Sequence, residues 1–354
     1  MRRRISLLGA LTALLVVGPA TAAFACGGLI APNGTINLVR TTTLAAYHQG
    51  IEHYVTSFSF VGDGKAAEFG SIVPLPGVPT DVIRGGDWTL QRLVLETEPP
   101  DRREAFALSA ALPAAGDAVV LMEKKIDALD ITVLEGGAVA VGTWAREHGF
   151  FLPPDAPEVL DFYARRSPIF AAIRFNAARA AAQGVQEGQG TPIHIVIPTP
   201  HPWVPLRILT LGQQPTALIQ ADVYLLTDRK PDTLPQAVES NGDDGQQGLI
   251  QRVSESASAQ LMTDLRSDRG MKWMPNDRMW LTQIRINAEA RTLVHDLAID
   301  ASGFGHPDPV AAGYERLPLL SDPGVFWPPI WALGGVIAGM LAIGVATAGR
   351  RRTV

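Results

Sequence analysis

The residue types best able to hold a metal here are seven histidines. His48 and His53 lie close together in "HQGIEH", and His194 and His201 bracket a proline-broken run. His295 and His306 follow late in the chain. Zinc needs three or four ligands converging at short range, and helical sites announce themselves by H-E-x-x-H. Neither pattern occurs. His48 and His53 are read as surface histidines flanking a hairpin turn, and His148 as the last-turn residue of a helix. No metal and no cofactor are expected. Serine chemistry has no better footing, because no G-x-S-x-G elbow is present. Ser71 in "FGSIVP" reads as a polar strand edge. Asp243 and Asp244 in "NGDDGQQG" lack the oxygen spacing of an EF-hand and read as a solvated linker. Asn33-Gly34-Thr35 matches a glycosylation sequon, and no dinucleotide or phosphate loop is found.

Two further residues invite a function. Trp203 lies between prolines in "HPWVPLRI". Displayed, it is a candidate contact for a partner or glycan; buried, it caps a sheet. Cys26 in "AFACGG" is the one cysteine of the chain. Three fates are open to it: a compact buried start to the first strand, lipidation of a new N-terminus, or a bond to another chain. A single thiol excludes an internal disulfide framework.

The elements that must position these residues are mainly strands. Gln49-Gly50 predicts a two-residue hairpin, followed by the alternation of Tyr54, Thr56, Phe58 and Phe60. Pro74, Pro76 and Pro79 suit the next run to an edge strand or extended segment rather than a sheet centre. Asp87 is expected to cap a helix through "WTLQRLVLET", stopped by Pro99 and Pro100. "AVVLMEKKIDALDITVLEG" reads as two strands about a turn. A helix ending at Gly149 follows, and Asp155 to Glu158 resembles a capping box for another. Alanines favour helix across Ile169 to Gln183, whereas the alternation of Ile169, Ala171, Ile173 and Phe175 favours strand. Strands continue through "PIHIVIP" and "TALIQADVYLLTD". A late helix carries Ala257, Leu261 and Leu265 on one face. The pattern predicts an α+β fold, mainly antiparallel β with several interspersed helices.

Both ends look like membrane signals. Arg2 to Arg4, an apolar run from Ile5 to Val17 and an A-x-A site predict a signal peptide over 1–25. The uncharged run 330–349 has the length of a spanning helix, with Trp327 and Trp331 at its outer edge. Arg350 to Arg352 then place the tail in the cytoplasm. Gly335 and Gly339 form a G-x-x-x-G match, which is also ordinary membrane-helix filler. Residues 26–300 are the expected exported domain, in one piece or two subdomains, and 301–329 the expected linker. The chain has 354 residues, 47% hydrophobic and 18% charged. Setting aside the six terminal arginines leaves 24 basic residues against 35 acidic, a formal charge of −11. That field repels nucleic acid, and no basic stripe offsets it.

"ACGG", "FVGDGKAAEFGSIVPLPGVP", "TWAREHGFFLPPDAPEVLDFYARRSPIFAAIRF" and "PIHIVIPTPHPWVPLRI", in this order, resemble the bacterial domain-of-unknown-function family 2330. The resemblance spans most of Cys26 to Asp300. It implies an exported, membrane-tethered bacterial protein and a strand at Ile169 to Phe175. It supplies no activity and no site residues. The expected function is a binding or structural protein of the cell envelope, held by its C-terminal helix and facing a protein or envelope partner. The rival is an envelope enzyme, hydrolase-like, with a site assembled from distant residues.

Overall fold

The computed structural model describes residues 28–30, 37–61, 70–97, 118–150, 152–176, 179, 182–183, 191–276 and 278–314. The expected signal peptide over 1–25, Cys26, Asn33 and the apolar run 330–349 lie outside them. No helix among the described residues is long and apolar enough to cross a membrane.

The hairpin at Gln49-Gly50 is present. Both turn residues have positive φ, 50° and 80°, the backbone of a type I′ turn. It joins β2 (Asn37–His48) to β3 (Ile51–Val61). Around that pair grows an eight-stranded sheet. On one side β2 runs parallel to β11 (Leu218–Thr227), which pairs with β15 (Trp280–Glu289). Beyond them lie β14 (Gly248–Ser256) and β13 (Val238–Glu239). On the other side β3 pairs with β9 (Ile193–Pro198), and β9 with β5 (Asp81–Arg84). The fold is α+β and mostly antiparallel, as expected.

A five-stranded sheet orders β1 (Gly28–Ile30), β4 (Gly70–Leu75), β8 (Ile169–Phe175), β7 (Leu129–Glu135) and β6 (Val119–Ile126). The strand alternative for Ile169 to Phe175 is therefore the correct one. Strand β4 is not an edge, contrary to its proline content. It lies between β1 and β8 and is buried throughout. Strand β1 pairs only with Gly70 to Ile72, and Pro74 sits beyond it, where a missing N–H costs that pairing nothing. A small sheet joins β10 (Trp203–Val204), β16 (Leu297–Asp300) and β12 (Asp232–Leu234).

Alternation explains two cores. In β11, Ile219, Ala221, Val223 and Leu225 face the larger one, shared with the five-stranded sheet, α2 (Ala138–Glu147) and α3 (Ala156–Ala164). Tyr224 and Leu226 face a smaller core under α1 (Thr89–Thr97) and α4 (Ala259–Ser267). Strands β11 and β15 are thus covered on both faces, and their polar residues Asp222, Thr282, Gln283, Arg285 and Asn287 are buried with them.

Two helix caps differ from expectation. Asp155 makes no cap bond; its carboxylate accepts the Gly212 amide at 2.9 Å. Asp87 does not cap α1 either, because it forms an ion pair with Arg84. The cap comes from Asp268, at the far end of α4. Its carboxylate accepts Asp87 N at 3.0 Å, Trp88 N at 3.0 Å and Thr89 Oγ1 at 2.7 Å. Gly86 leaves room for it, since a Cβ there would overlap the Asp268 carboxylate. In contrast, Ser258 caps α4 directly, accepting Leu261 N at 3.1 Å.

Packing also runs past the expected boundary at Asp300. Asp296 N donates to Ala312 O at 3.0 Å, Arg166 Nη1 to Ala311 O at 2.6 Å, and Tyr314 stacks on His295 at 3.7 Å. Ala311, Ala312 and Tyr314, within the expected linker, thus pack on the folded body.

Two outcomes test this account. Asp268→Ala should cost about 2–3 kcal/mol in chemical denaturation, for three lost bonds at a buried cap, while Asp87→Ala costs under about 1 kcal/mol. A chain ending at Tyr314 should match the stability of the full domain. One ending at Asp300 should lose roughly 2–4 kcal/mol with the contacts named above.

Candidate functional site

Neighbouring strands β3 and β9 bring together two histidines that the sequence keeps 141 residues apart. His53 lies opposite Val196, and His194 lies opposite Val55. The two therefore occupy diagonal positions on one sheet face. His53 Nδ1 and His194 Nε2 are 2.9 Å apart, a hydrogen bond between imidazoles. Trp273, from the loop after α4, lies flat on His53 with centroids 3.5 Å apart and planes 3° from parallel. His53 is 7% exposed and His194 1%. The expectation of a surface histidine at 53 is overturned: its face of the sheet carries the smaller core, not solvent.

Electrostatics follow from burial. Desolvation pushes His53 down to about 3, reinforced by the nearby imidazoles of His194 and His48. Desolvation pushes His194 down to about 4, with Asp81 and the Gly270 backbone offsetting part of the shift. Gly270 still closes no hydrogen bond, because His194 Nδ1 is buried without a partner. At neutral pH both rings are uncharged, and one proton holds them together.

Glu52 faces the opposite way, into the larger core. It is fully buried, and neither carboxylate oxygen makes a hydrogen bond. Burial raises its pKa from 4.5 to about 8, while the Trp203 backbone opposes weakly. The protonated form is the one the fold accepts.

The remaining sequence candidates scatter. His48 bonds Asp228 at 2.7 Å, and His201 is a largely exposed residue 3.8 Å from Asp308. His148 caps α2 and stacks on Trp144, matching its expected place at the helix end. Ser71 is 2% exposed with an unpartnered hydroxyl, so it is not a polar edge. Asp244 reaches Arg252 at 3.3 Å and Arg285 at 3.5 Å, which ties its loop to the sheet.

Trp203 is 3% exposed, which removes it as a partner contact. Its indole covers the Arg166 guanidinium at 4.9 Å, as the Phe162 ring does at 4.2 Å. Arg166 in turn pairs with Asp296, whose carboxylate also accepts Tyr163 Oη at 2.8 Å, Leu206 N at 2.8 Å and Arg207 N at 2.9 Å. The Asp296 carboxylate, with four donors around it, fixes a junction between α3 and the chain after β10.

Nothing in the spacing of "IEHYV" and "PIHIVIP" marked the histidine pair. The usable signal was the setting of one of them. His194 sits among β-branched residues in a strand with no polar face, whereas β3, with Glu52, Thr56, Ser57 and Ser59, gave no such signal for His53.

The pKa directions predict the acid–base stability profile. The folded chain keeps a proton on Glu52 that the unfolded chain releases above pH 4.5. This stability is complete below about pH 4.5 and is lost as pH rises towards 8. The two histidines act inversely, costing stability as pH falls below about 6.5. Between pH 6.5 and 8 only Glu52 of these three titrates. Urea midpoints should fall across that window, by at most about 1.4 kcal/mol per pH unit, and Glu52→Gln should flatten the slope.

Comparison with solved structures finds baculovirus P35, at 8% identity and a TM-score of 0.39, covering 75% of this chain and 97% of that one. P35 in the caspase-8/P35 complex is similar at 8% identity and a TM-score of 0.36, covering 74% and 96%. No curated protein matches the chain. A family model described as uncharacterized protein conserved in bacteria, DUF2330, matches residues 19–300. The chain belongs to that bacterial family, DUF2330.

Proposed function

We propose that the protein is a binding or structural component of the bacterial cell envelope, exported by residues 1–25 and held at the membrane by residues 330–349. The tail from Arg350 to Arg352 stays in the cytoplasm in this reading, and the folded body works outside. A formal charge of −11 on the exported part suits neither nucleic acid nor an anionic lipid surface.

The observation that carries the binding role is strand β6. It ends the five-stranded sheet, and among the described residues it pairs with β7 alone. Its first residues Val119, Val120 and Leu121 are 62%, 42% and 37% exposed. The second half differs: Lys124 is tied to Asp81, and Ile126 is buried. An open edge with consecutive apolar side chains is suited to an added strand from a partner. The rival hydrolase-like reading draws on the His53–His194 pair, but those rings lie almost wholly out of solvent, beneath Trp273, where no substrate carbonyl could reach them.

The test is topology and contact together. A C-terminal tag should resist external protease in intact cells while the domain is digested. A photo-crosslinker at Val120 should capture an envelope protein, and Leu121→Lys should abolish that capture. Domain protection with tag cleavage would reverse the orientation, and capture that survives Leu121→Lys would remove β6 from the interface.

A further inference from the structure

Four of the chain's seven methionines lie in the smaller core: Met262, Met271, Met274 and Met279. Three come from one segment, "MKWMPNDRM", which also carries Trp273. Met271 is 0% exposed and Met274 3%. A turn bond, Met274 N to Met271 O at 3.2 Å, closes the backbone between the two methionines. The loop lies on the histidine pair through Trp273. Ala46 and Val55, the strand neighbours of His53 and His194, belong to the same core as the methionines. The loop that covers the histidine pair thus carries two buried methionines that share a core with the strand neighbours of both histidines.

We propose that His53 and His194, with Met271 and Met274 from the covering loop, form a site for one soft monovalent cation, Cu(I) or Ag(I). The imidazoles already face each other nitrogen to nitrogen, at 2.9 Å. Two metal–nitrogen bonds of about 2.0–2.1 Å at a tetrahedral angle span roughly 3.3 Å. An opening of a few tenths of an ångström thus turns the hydrogen bond into a chelate. No proton need leave. Each neutral ring keeps one, moved to its outer nitrogen, and the metal takes the two facing lone pairs. On His194 that outer nitrogen is Nδ1, buried and unpartnered beside the Gly270 backbone. Metal-bound histidines characteristically donate their other N–H to such a neighbour.

Charge and softness select the ion. Among the described residues no group of three histidine, cysteine or carboxylate side chains converges, so a divalent ion would lack anionic ligands. The cost of burying an ion grows with the square of its charge, so a monovalent ion meets about a quarter of the divalent penalty. Thioether ligands favour Cu(I). The expectation of no metal rested on histidine, cysteine and carboxylate spacing, which is blind to this ligand type.

The test titrates the full chain in detergent with Ag(I), and with Cu(I) held by a coloured chelator. One ion should bind per chain, quench tryptophan emission and raise the unfolding midpoint. Met271→Leu with Met274→Leu nearly conserves volume, so the fold should persist while Ag(I) affinity falls at least tenfold. His194→Asn should abolish binding at unchanged secondary structure. Absence of binding by the wild-type chain overturns the site. So does a double leucine variant that binds as tightly as wild type, or Zn(II) binding tighter than Ag(I).

Discussion

Asp268 is the constraint on which the histidine site depends. Its backbone N–H closes the end of α4 on Leu265 O, its carboxylate caps α1, and the loop that carries Gly270, Met271, Trp273 and Met274 starts from it. The two helices covering the smaller core are thereby locked end to end. Arg92 reinforces the lock, reaching Asp264 on α4 at 2.8 Å and Glu96 on its own helix at 2.7 Å. Trp273 can lie flat on His53 only because that loop leaves α4 in a fixed direction. A local electrostatic contact thus sets the geometry of an aromatic stack several residues away.

The larger core is held by a different device. Asp296 gathers Tyr163 and Arg166 from α3 and its C-terminal end with two backbone amides following β10. Aromatic rings cover the guanidinium, so the ion pair is dry, with Arg166 Nε left without a hydrogen-bond partner. Glu52, in contrast, is buried in the same half of the molecule with no such partners. The two acids show how differently one protein treats a buried carboxyl. One is surrounded by a set of donors, and the other is kept neutral by burial without them.

Local rules were enough for local structure. The hairpin was legible because Gln49-Gly50 suits a turn whose handedness matches strand twist, and α4 because Leu261 and Leu265 keep helical spacing behind a serine cap. What failed was whatever depends on distant chain. Asp87 was the right residue type at the right place to cap α1, yet Asp268 arrives from 181 residues away and takes the role. Pro74 marks an edge only in the absence of β1, which ends short of it. His53 looks like turn-proximal surface until β9 and Trp273 close over it. Trp203 could be read as displayed or as capping a sheet, and the buried alternative is the one found, through Arg166 and the small sheet.

The parallel pairing of β2 with β11 sets the order of events during synthesis. His48 and Asp228, bonded at the end of that pair, stand 180 residues apart. The N-terminal hairpin leaves the ribosome long before either of its sheet neighbours exists. Loop closure over such distances is slow, and folding rates fall as contacts become less local. Sheet assembly must therefore wait until most of the chain has been made. A nascent chain built this way stays threadable for a long time, which is the state a translocation channel requires.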